Sequence, residues 1–178
     1  MKYLGIGIMA VSLAGAGFLA ADRWRERLEI LLLLRRMVYC LKGEILYAGY
    51  TLPEALAQAG NRFAGERNGV LREPPAFFLR VSSRTEAERG TPFFSVWKEE
   101  MEKFPRDFPM DRADRQALCT LGENLGYADR DRQEKMFLLY LEQLEDSIDS
   151  LKKELAVRTR LYRSLGAAAG LFLAVIMM

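Results

Sequence analysis

Four carboxylates lie close together in the second half of the chain, at Glu142, Glu145, Asp146 and Asp149. Spacings of three and four residues place such side chains on one side of a helix, where like charges repel one another. This pattern predicts a docking strip for a basic partner, with a solvated helix face as the alternative. A metal site would need matching ligands on a facing helix, and we expect no bound metal.

The residue types that are missing exclude several classes of enzyme. The chain contains no histidine, which removes imidazole bases, catalytic triads and histidine metal ligands. Phosphate-binding loops, nucleophile elbows and C-x-x-C pairs are also absent. Cys40 and Cys119 stand in apolar helical surroundings, which predicts buried, reduced thiols rather than a disulfide. We therefore predict a protein without catalytic residues or cofactors.

The distribution of charge separates a polar middle from two uncharged ends. All 24 acidic residues, and all 26 basic residues except Lys2, lie between Asp22 and Arg163, so this stretch carries 25 minus 24, or +1. Nucleic-acid binding relies on an excess of Lys and Arg, so a near-neutral middle argues against it. The length of 178 residues accommodates one modest domain with membrane segments.

Both uncharged ends have the composition of membrane segments. Residues 3–21 would extend roughly 28 Å as a helix, close to the thickness of a bilayer core, and a cleaved signal peptide is the alternative. Residues 164–178 would cover only roughly 22 Å, which predicts a short transmembrane helix or partial insertion. Basic residues flank both ends on the side of the middle stretch. The positive-inside rule then places residues 22–163 in the cytoplasm, beside anionic lipid head groups.

The middle stretch predicts an all-α domain, a bundle of roughly six helices between the two membrane helices. Apolar residues recur three or four apart from Trp24 to Ala48, and Thr51-Leu52-Pro53-Glu54 carries the features of a helix start. Further helices are predicted over 76–84, 93–104 and 111–126, separated by glycine and proline, with Pro74-Pro75 assigned to a loop. Trp97 is expected in the core.

The last predicted helix begins at Asp129 and carries a strict heptad seam. The seam consists of Phe137, Leu141, Leu144, Ile148, Leu151 and Leu155. This pattern is typical of a helix that pairs with another along its length. The expected mate is the helix over 24–48, and pairing of two chains through the seam is the alternative, so a homo-oligomer remains possible.

Two glycines four residues apart mark the corner before this helix. Gly126 is expected to adopt a positive φ as a left-handed helix cap, because glycine is the residue that tolerates that conformation. Gly122 is expected to let a neighbouring helix approach closely.

The order of these pieces resembles the stage III sporulation protein AB family over the whole chain. A short apolar start is followed by Leu41-x-x-Glu44-Ile45-x-Tyr47 and by Thr51-Leu52-Pro53-Glu54-Ala55-Leu56. Trp97 comes next, then Leu121-Gly122-Glu123-Asn124-Leu125-Gly126-x-x-Asp129-x-x-x-Gln133 and an apolar tail. The middle stretch is also similar, more loosely, to the cytoplasmic repeat of type II secretion and type IV pilus platform proteins.

The resemblance implies a membrane component of the channel complex that links mother cell and forespore. It implies a soluble domain in the mother-cell cytoplasm, with other membrane proteins of the complex and a secretion-type ATPase as partners. The motif residues then become candidates for interface or structural roles, namely Glu44, Tyr47, Pro53, Gly122, Glu123, Gly126, Asp129 and Gln133. The alternatives are a membrane-anchored coiled-coil adaptor outside secretion, a membrane-bound enzyme of unknown chemistry, or a secreted coiled coil.

Overall fold

The computed structural model describes the backbone of residues 2–65, 69–126 and 130–177, and the side chains of residues 22–65, 69–126 and 131–158. Within these ranges the chain is helical and contains no strand, which confirms the all-α prediction. The helices are α1 (Lys2–Gly43), α2 (Leu52–Phe63), α3 (Glu73–Ala87), α4 (Phe93–Glu102), α5 (Arg112–Leu125) and α6 (Arg130–Met177). A π-helix, Glu44–Ala48, extends α1, and a 3₁₀ turn, Gly69–Arg72, precedes α3.

The two long helices, α1 and α6, pack against each other in antiparallel order. The first five seam residues of α6 are buried and Leu155 is partly buried. Contacts along the pair follow one another in register: the Arg158 guanidinium lies 4.6 Å from the centre of the Trp24 ring, and Arg35 binds Glu145 at 2.8 Å. Pairing of the seam within one chain is thus confirmed, and α6 also packs on α5.

The four shorter helices pack on one another in sequence, α2 on α3, α3 on α4 and α4 on α5, and α2 and α3 also pack on α1. Their centre is aromatic. Phe77 of α3 lies with its ring centre 4.8 Å from that of Trp97 and 5.1 Å from that of Phe104, in edge-to-face geometry. Trp97 is fully buried, as the sequence predicted. Such aromatic pairs stabilise a core by about 0.5–1.5 kcal/mol each beyond the area that they bury.

Local sequence explains several helix ends. Glu54 accepts hydrogen bonds from the Thr51 backbone N–H (2.9 Å) and hydroxyl (2.7 Å), which fixes the start of α2. Asp111 and Asp114 form the same reciprocal arrangement at the start of α5. Gly49 ends the π-helix with a φ of 73°, a conformation that glycine adopts readily. These features confirm the predicted breaks and starts.

The assignment of Pro74-Pro75 to a loop was wrong. Helix α3 begins at Glu73, so both prolines lie in its first turn and are buried. The first turn has no intrahelical acceptors for its N–H groups, so proline is well tolerated there. Helix α4 is also shorter than predicted and ends at Glu102 rather than Phe104.

The predicted membrane segments, 3–21 and 164–178, belong to α1 and α6, but their side chains lie outside the described residues. Among the residues that the structure does describe, no helix has both the length and the hydropathy to cross a bilayer.

Candidate interaction surfaces

The Gly122 position is a close contact between α4 and α5, as predicted. Gly122 is buried, and a Cβ atom added there would overlap the indole ring of Trp97. The same ring donates a hydrogen bond from Nε1 to the carbonyl of Leu118, one turn earlier on α5, at 3.2 Å. The indole therefore lies flat against the backbone of α5, and only glycine leaves room for it.

The predicted left-handed cap at Gly126 is wrong. Gly126 has a φ of −72°, in the right-handed region, and its nearest non-local neighbour is Phe93, at ordinary contact distance. The end of α5 is capped differently: the Gln133 side-chain amide donates a hydrogen bond to the Leu125 carbonyl at 3.2 Å. This bond satisfies a terminal carbonyl without a left-handed turn. Gln133 is thus a structural residue that links α6 to the end of α5.

The remaining motif residues separate into structural and surface positions. The Pro53 carbonyl accepts a hydrogen bond from the Ser82 hydroxyl at 2.7 Å, which joins α2 to α3. Glu44 is partly buried in the π-helix, where its backbone carbonyl accepts the Tyr50 N–H at 3.1 Å. Tyr47, by contrast, exposes 77% of its surface. Glu123 is also exposed, and Asp129 lies outside the described residues.

The four carboxylates of α6 lie on the side of the helix that points away from the core. We call this surface the outer face of α6; it comprises Leu138, Leu139, Glu142, Glu145, Asp146 and Asp149. All six residues are exposed, the two leucines by 51% and 50%. Glu145 is held by Arg35, and Asp149 lies 3.4 Å from Lys152 of the same helix. Glu142 and Asp146 have no ion-pair or hydrogen-bond partner among the described residues, so their charges are available.

A groove with apolar and polar lining residues adjoins this face between α5 and α6. It has a volume of about 390 Å³, and Asp146 stands on its wall. Asp114 also lines it, but Arg27 binds this carboxylate. The other polar side chains that line it are Gln116, Thr120, Gln143 and Ser147, which offer neutral hydrogen-bond donors and acceptors. The outer face and the groove together combine two apolar anchors, two free carboxylates and neutral polar groups.

A buried carboxylate cluster between α3 and α4 has no counterpart among the sequence predictions. Glu100 has no solvent exposure, and its oxygens bind Arg80 (2.9 Å), Arg84 (3.0 Å) and Lys103 (2.5 Å). Burial disfavours the charged carboxylate, but hydrogen bonds from the three cations outweigh it and lower the pKa of Glu100. The spacing of Arg80 and Arg84 on one helix face hinted at a common partner, but nothing local pointed to Glu100.

A second buried ion pair joins α1 to α5. Arg27 binds Asp114 at 2.7 Å and Asp111 at 2.5 Å, so the cap of α5 also anchors the long helix. Burial alone would lower the pKa of Arg27, but bonding to Asp114 and Asp111 raises it overall. The sequence predicted a helix that begins at residue 111, but no local pattern linked Arg27 to that helix start.

The cysteines and the described acids show no chemistry of their own. Cys40 and Cys119 are both free thiols, and each is partly buried rather than fully buried as predicted. Burial, reinforced by the nearby Glu123 carboxylate, raises the pKa of Cys119, so its thiol is less reactive than an ordinary cysteine. Among the described residues no three acids or cysteines gather in a geometry that would hold a metal.

The sequence matches known proteins over nearly its full length, and the fold matches a solved structure over part of it. The family model for stage III sporulation protein AB covers residues 2–178. Stage III sporulation protein AB of Bacillus subtilis (strain 168) is 26% identical over 178 residues, which is 100% of this chain and 99% of that protein. A solved structure of stage III sporulation protein AB superimposes with a TM-score of 0.63 at 23% identity, covering 74% of this chain and 97% of the other. At that identity the superposition establishes the fold. Because the family model spans nearly every residue, this chain belongs to the stage III sporulation protein AB family.

Proposed function

We propose that this sporulation protein is a non-enzymatic membrane scaffold of the channel complex between mother cell and forespore. In this proposal residues 3–21 and 164–178 insert in the mother-cell membrane around the forespore, and residues 22–163 form a cytoplasmic docking domain. The partners are other membrane proteins of the complex, a secretion-type ATPase and anionic lipid head groups. The full-length match to a sporulation family supports the process, while the scaffold role rests on the surface of the domain.

The observation that carries the scaffold role is the outer face of α6. Leu138 and Leu139 expose half of their surface beside Glu142 and Asp146, whose charges have no partner among the described residues. Apolar side chains with a charged rim are the composition of a protein interface, in which the apolar residues supply affinity and the charges select the partner. The arrangement fits a partner helix that presents apolar residues and lysines or arginines.

Co-purification from sporulating cells tests the proposal. The full-length tagged chain is purified from their membranes, and the proteins that accompany it are identified and quantified by peptide mass spectrometry. We expect membrane proteins of the channel complex and a secretion-type ATPase. We expect the double variant Glu142→Gln, Asp146→Asn to lose at least one of them by about tenfold, because each charge contact at an interface contributes on the order of 1 kcal/mol.

The matched control is the double variant Glu86→Gln, Glu102→Gln. Both residues are exposed and have no partner among the described residues, and neither belongs to α6. This control removes the same charge from α3 and α4 and should co-purify the same proteins as the parent chain. If the parent chain brings down no membrane protein of the complex, the scaffold proposal is wrong. If both double variants behave alike, the outer face of α6 is not the docking surface.

A further inference from the structure

A cleft lies beside Arg23, Trp24 and Arg27 of α1. It has a volume of about 270 Å³ and lies between the first polar turns of α1 and the segment that joins α4 to α5. Three arginines, Arg23, Arg27 and Arg106, line it. Its apolar walls are formed by Trp24, Phe108, Pro109 and Met110. A volume below the range of about 300–1,000 Å³ that drug-sized ligands occupy suits a small charged group with an apolar neighbour.

The arginines of the cleft differ in what they already bind. Arg27 is neutralised by Asp111 and Asp114, so it is a fixed part of the wall. Arg23 and Arg106 are exposed, and neither has a hydrogen-bond or ion-pair partner among the described residues. One further carboxylate, Asp107, also lines the cleft and is exposed without a partner there. The residues that line the cleft therefore carry three guanidinium groups against two carboxylates, Asp107 and Asp111, and this excess of one positive charge favours an anion.

The position of the cleft along α1 indicates where such an anion would come from. Helix α1 runs without a break from Lys2 to Gly43, so the uncharged residues 3–21 lead directly into Arg23 and Trp24. At a rise of about 1.5 Å per residue, Arg23 lies about 3 Å along the axis from the end of that run. Tryptophan prefers the boundary between lipid and water, because its ring is apolar while its N–H is polar.

We propose that this cleft binds the phosphate of an anionic phospholipid from the leaflet into which residues 3–21 insert. Arg23 and Arg106 hold the phosphate oxygens, since a guanidinium presents paired N–H donors that match them. Trp24 and Phe108 contact the glycerol and the first methylenes of the acyl chains. The lipid thereby fixes the α4–α5 connection to the membrane surface. This inference rests on the proposed membrane insertion of the chain.

Native mass spectrometry of the full-length chain tests the cleft. The chain is reconstituted in vesicles of phosphatidylcholine with one-fifth phosphatidylglycerol, a composition chosen for the assay, then released in mild detergent, and retained lipids are counted. We expect the parent chain to retain phosphatidylglycerol in preference to phosphatidylcholine. The double variant Arg23→Gln, Arg106→Gln should retain it about tenfold less, whereas Asp107→Asn should retain more than the parent.

The control is the double variant Arg72→Gln, Arg89→Gln, which removes two exposed arginines that do not line the cleft. Equal losses from both double variants would show a general effect of surface charge and overturn the inference. Displacement of the lipid by millimolar inorganic phosphate would identify a free-phosphate site instead. Flotation of the vesicles is measured in parallel: a chain that floats but retains no anionic lipid refutes only the cleft, whereas a chain that fails to float refutes the proposed membrane insertion as well.

Discussion

The contact between α4 and α5 and the outer face of α6 both contain large apolar side chains and carboxylates, but in opposite environments. At the contact, Trp97 is fully buried against Gly122, and the nearby Glu100 carboxylate is surrounded by three cations. On the outer face, two leucines are half exposed and two carboxylates have no partner among the described residues. The first region is satisfied within the chain and sets the fold, whereas the second is left incomplete and is available to a partner.

We expect the largest loss of stability from a substitution at Gly122, in the contact between α4 and α5. The substitution Gly122→Val adds a branched side chain where the fully buried Trp97 ring already lies. We expect the free energy of unfolding to fall by about 3 kcal/mol, the upper part of the range for overpacked cores. Urea unfolding of the full-length chain in mild detergent, followed by tryptophan fluorescence, measures it.

The matched control for this substitution is Gly126→Val, four residues away. Gly126 has a negative φ and its nearest neighbour, Phe93, lies at 3.7 Å, so the added side chain meets neither strain nor a clash. We expect a change below about 1 kcal/mol, mostly from the lower helix-end preference of valine. Equal losses at the two glycines would show that the close approach of Trp97 is not what makes Gly122 sensitive.

The Glu100 cluster should contribute the next largest effect. The substitution Glu100→Gln keeps the shape but removes the charge that three cations share, and we expect a loss of about 2 kcal/mol at pH 7. Because folding lowers the pKa of Glu100, its contribution is complete above the ordinary glutamate pKa of 4.5 and disappears as the pH falls through the lower, folded value. The difference in unfolding free energy between parent and variant should therefore begin to shrink as the pH falls below 4.5. A difference that stays constant or grows as the pH is lowered further would contradict this assignment.

The inner side of α6 contains a polar group without a bonding partner in the part of the chain that the structure describes. The Tyr140 hydroxyl is buried and has no hydrogen-bond partner among those residues. Burial, together with the nearby Asp114 carboxylate, raises its pKa, so the ring stays neutral at working pH. We expect Tyr140→Phe to stabilise the chain by about 1 kcal/mol, since the variant removes a buried unpaired hydroxyl and leaves the ring in place. A loss of stability in the same urea assay would show that the hydroxyl has a partner.

The outer face of α6 should contribute least to stability. We expect Leu139→Ala to change the free energy of unfolding by less than about 0.5 kcal/mol, because half of this side chain is already in water. Leu141, on the inner side of α6, exposes only 3% of its surface. We therefore expect Leu141→Ala to lower the free energy of unfolding by about 3 kcal/mol. Similar losses at both leucines would mean that the outer face belongs to the core and is not available to a partner.

Sequence reasoning predicted the helices well because their causes are local. Apolar residues that recur three and four apart lie together on one side of a helix. This seam correctly predicted which residues form the buried side of α6. Thr51 and Asp111 were recognisable as helix starts, since their capping partners lie three residues away. The same pattern left Glu142 and Asp146 outside the seam, so their exposure was predictable as well.

Local patterns gave the wrong prediction at two places, because each pattern fits more than one structure. Gly126 looked like a left-handed cap, but Gln133 satisfies the end of α5 from the next helix. Pro74 and Pro75 looked like a loop, although a helix tolerates proline in its first turn as readily as a loop does.

The sequence by itself determined that this protein is helical, where its helices begin, which side of α6 is buried and which family it belongs to. Periodicity, caps and motif order are properties of neighbouring residues, so they can be read without coordinates. The tertiary structure alone decided that Gly122 faces Trp97, that Glu100 collects three cations and that Arg23 and Arg106 share a cleft. Apart from Glu100 and Lys103, which lie three positions apart, these pairings join residues 16 to 83 positions apart. Their geometry depends on how whole helices pack rather than on any local preference.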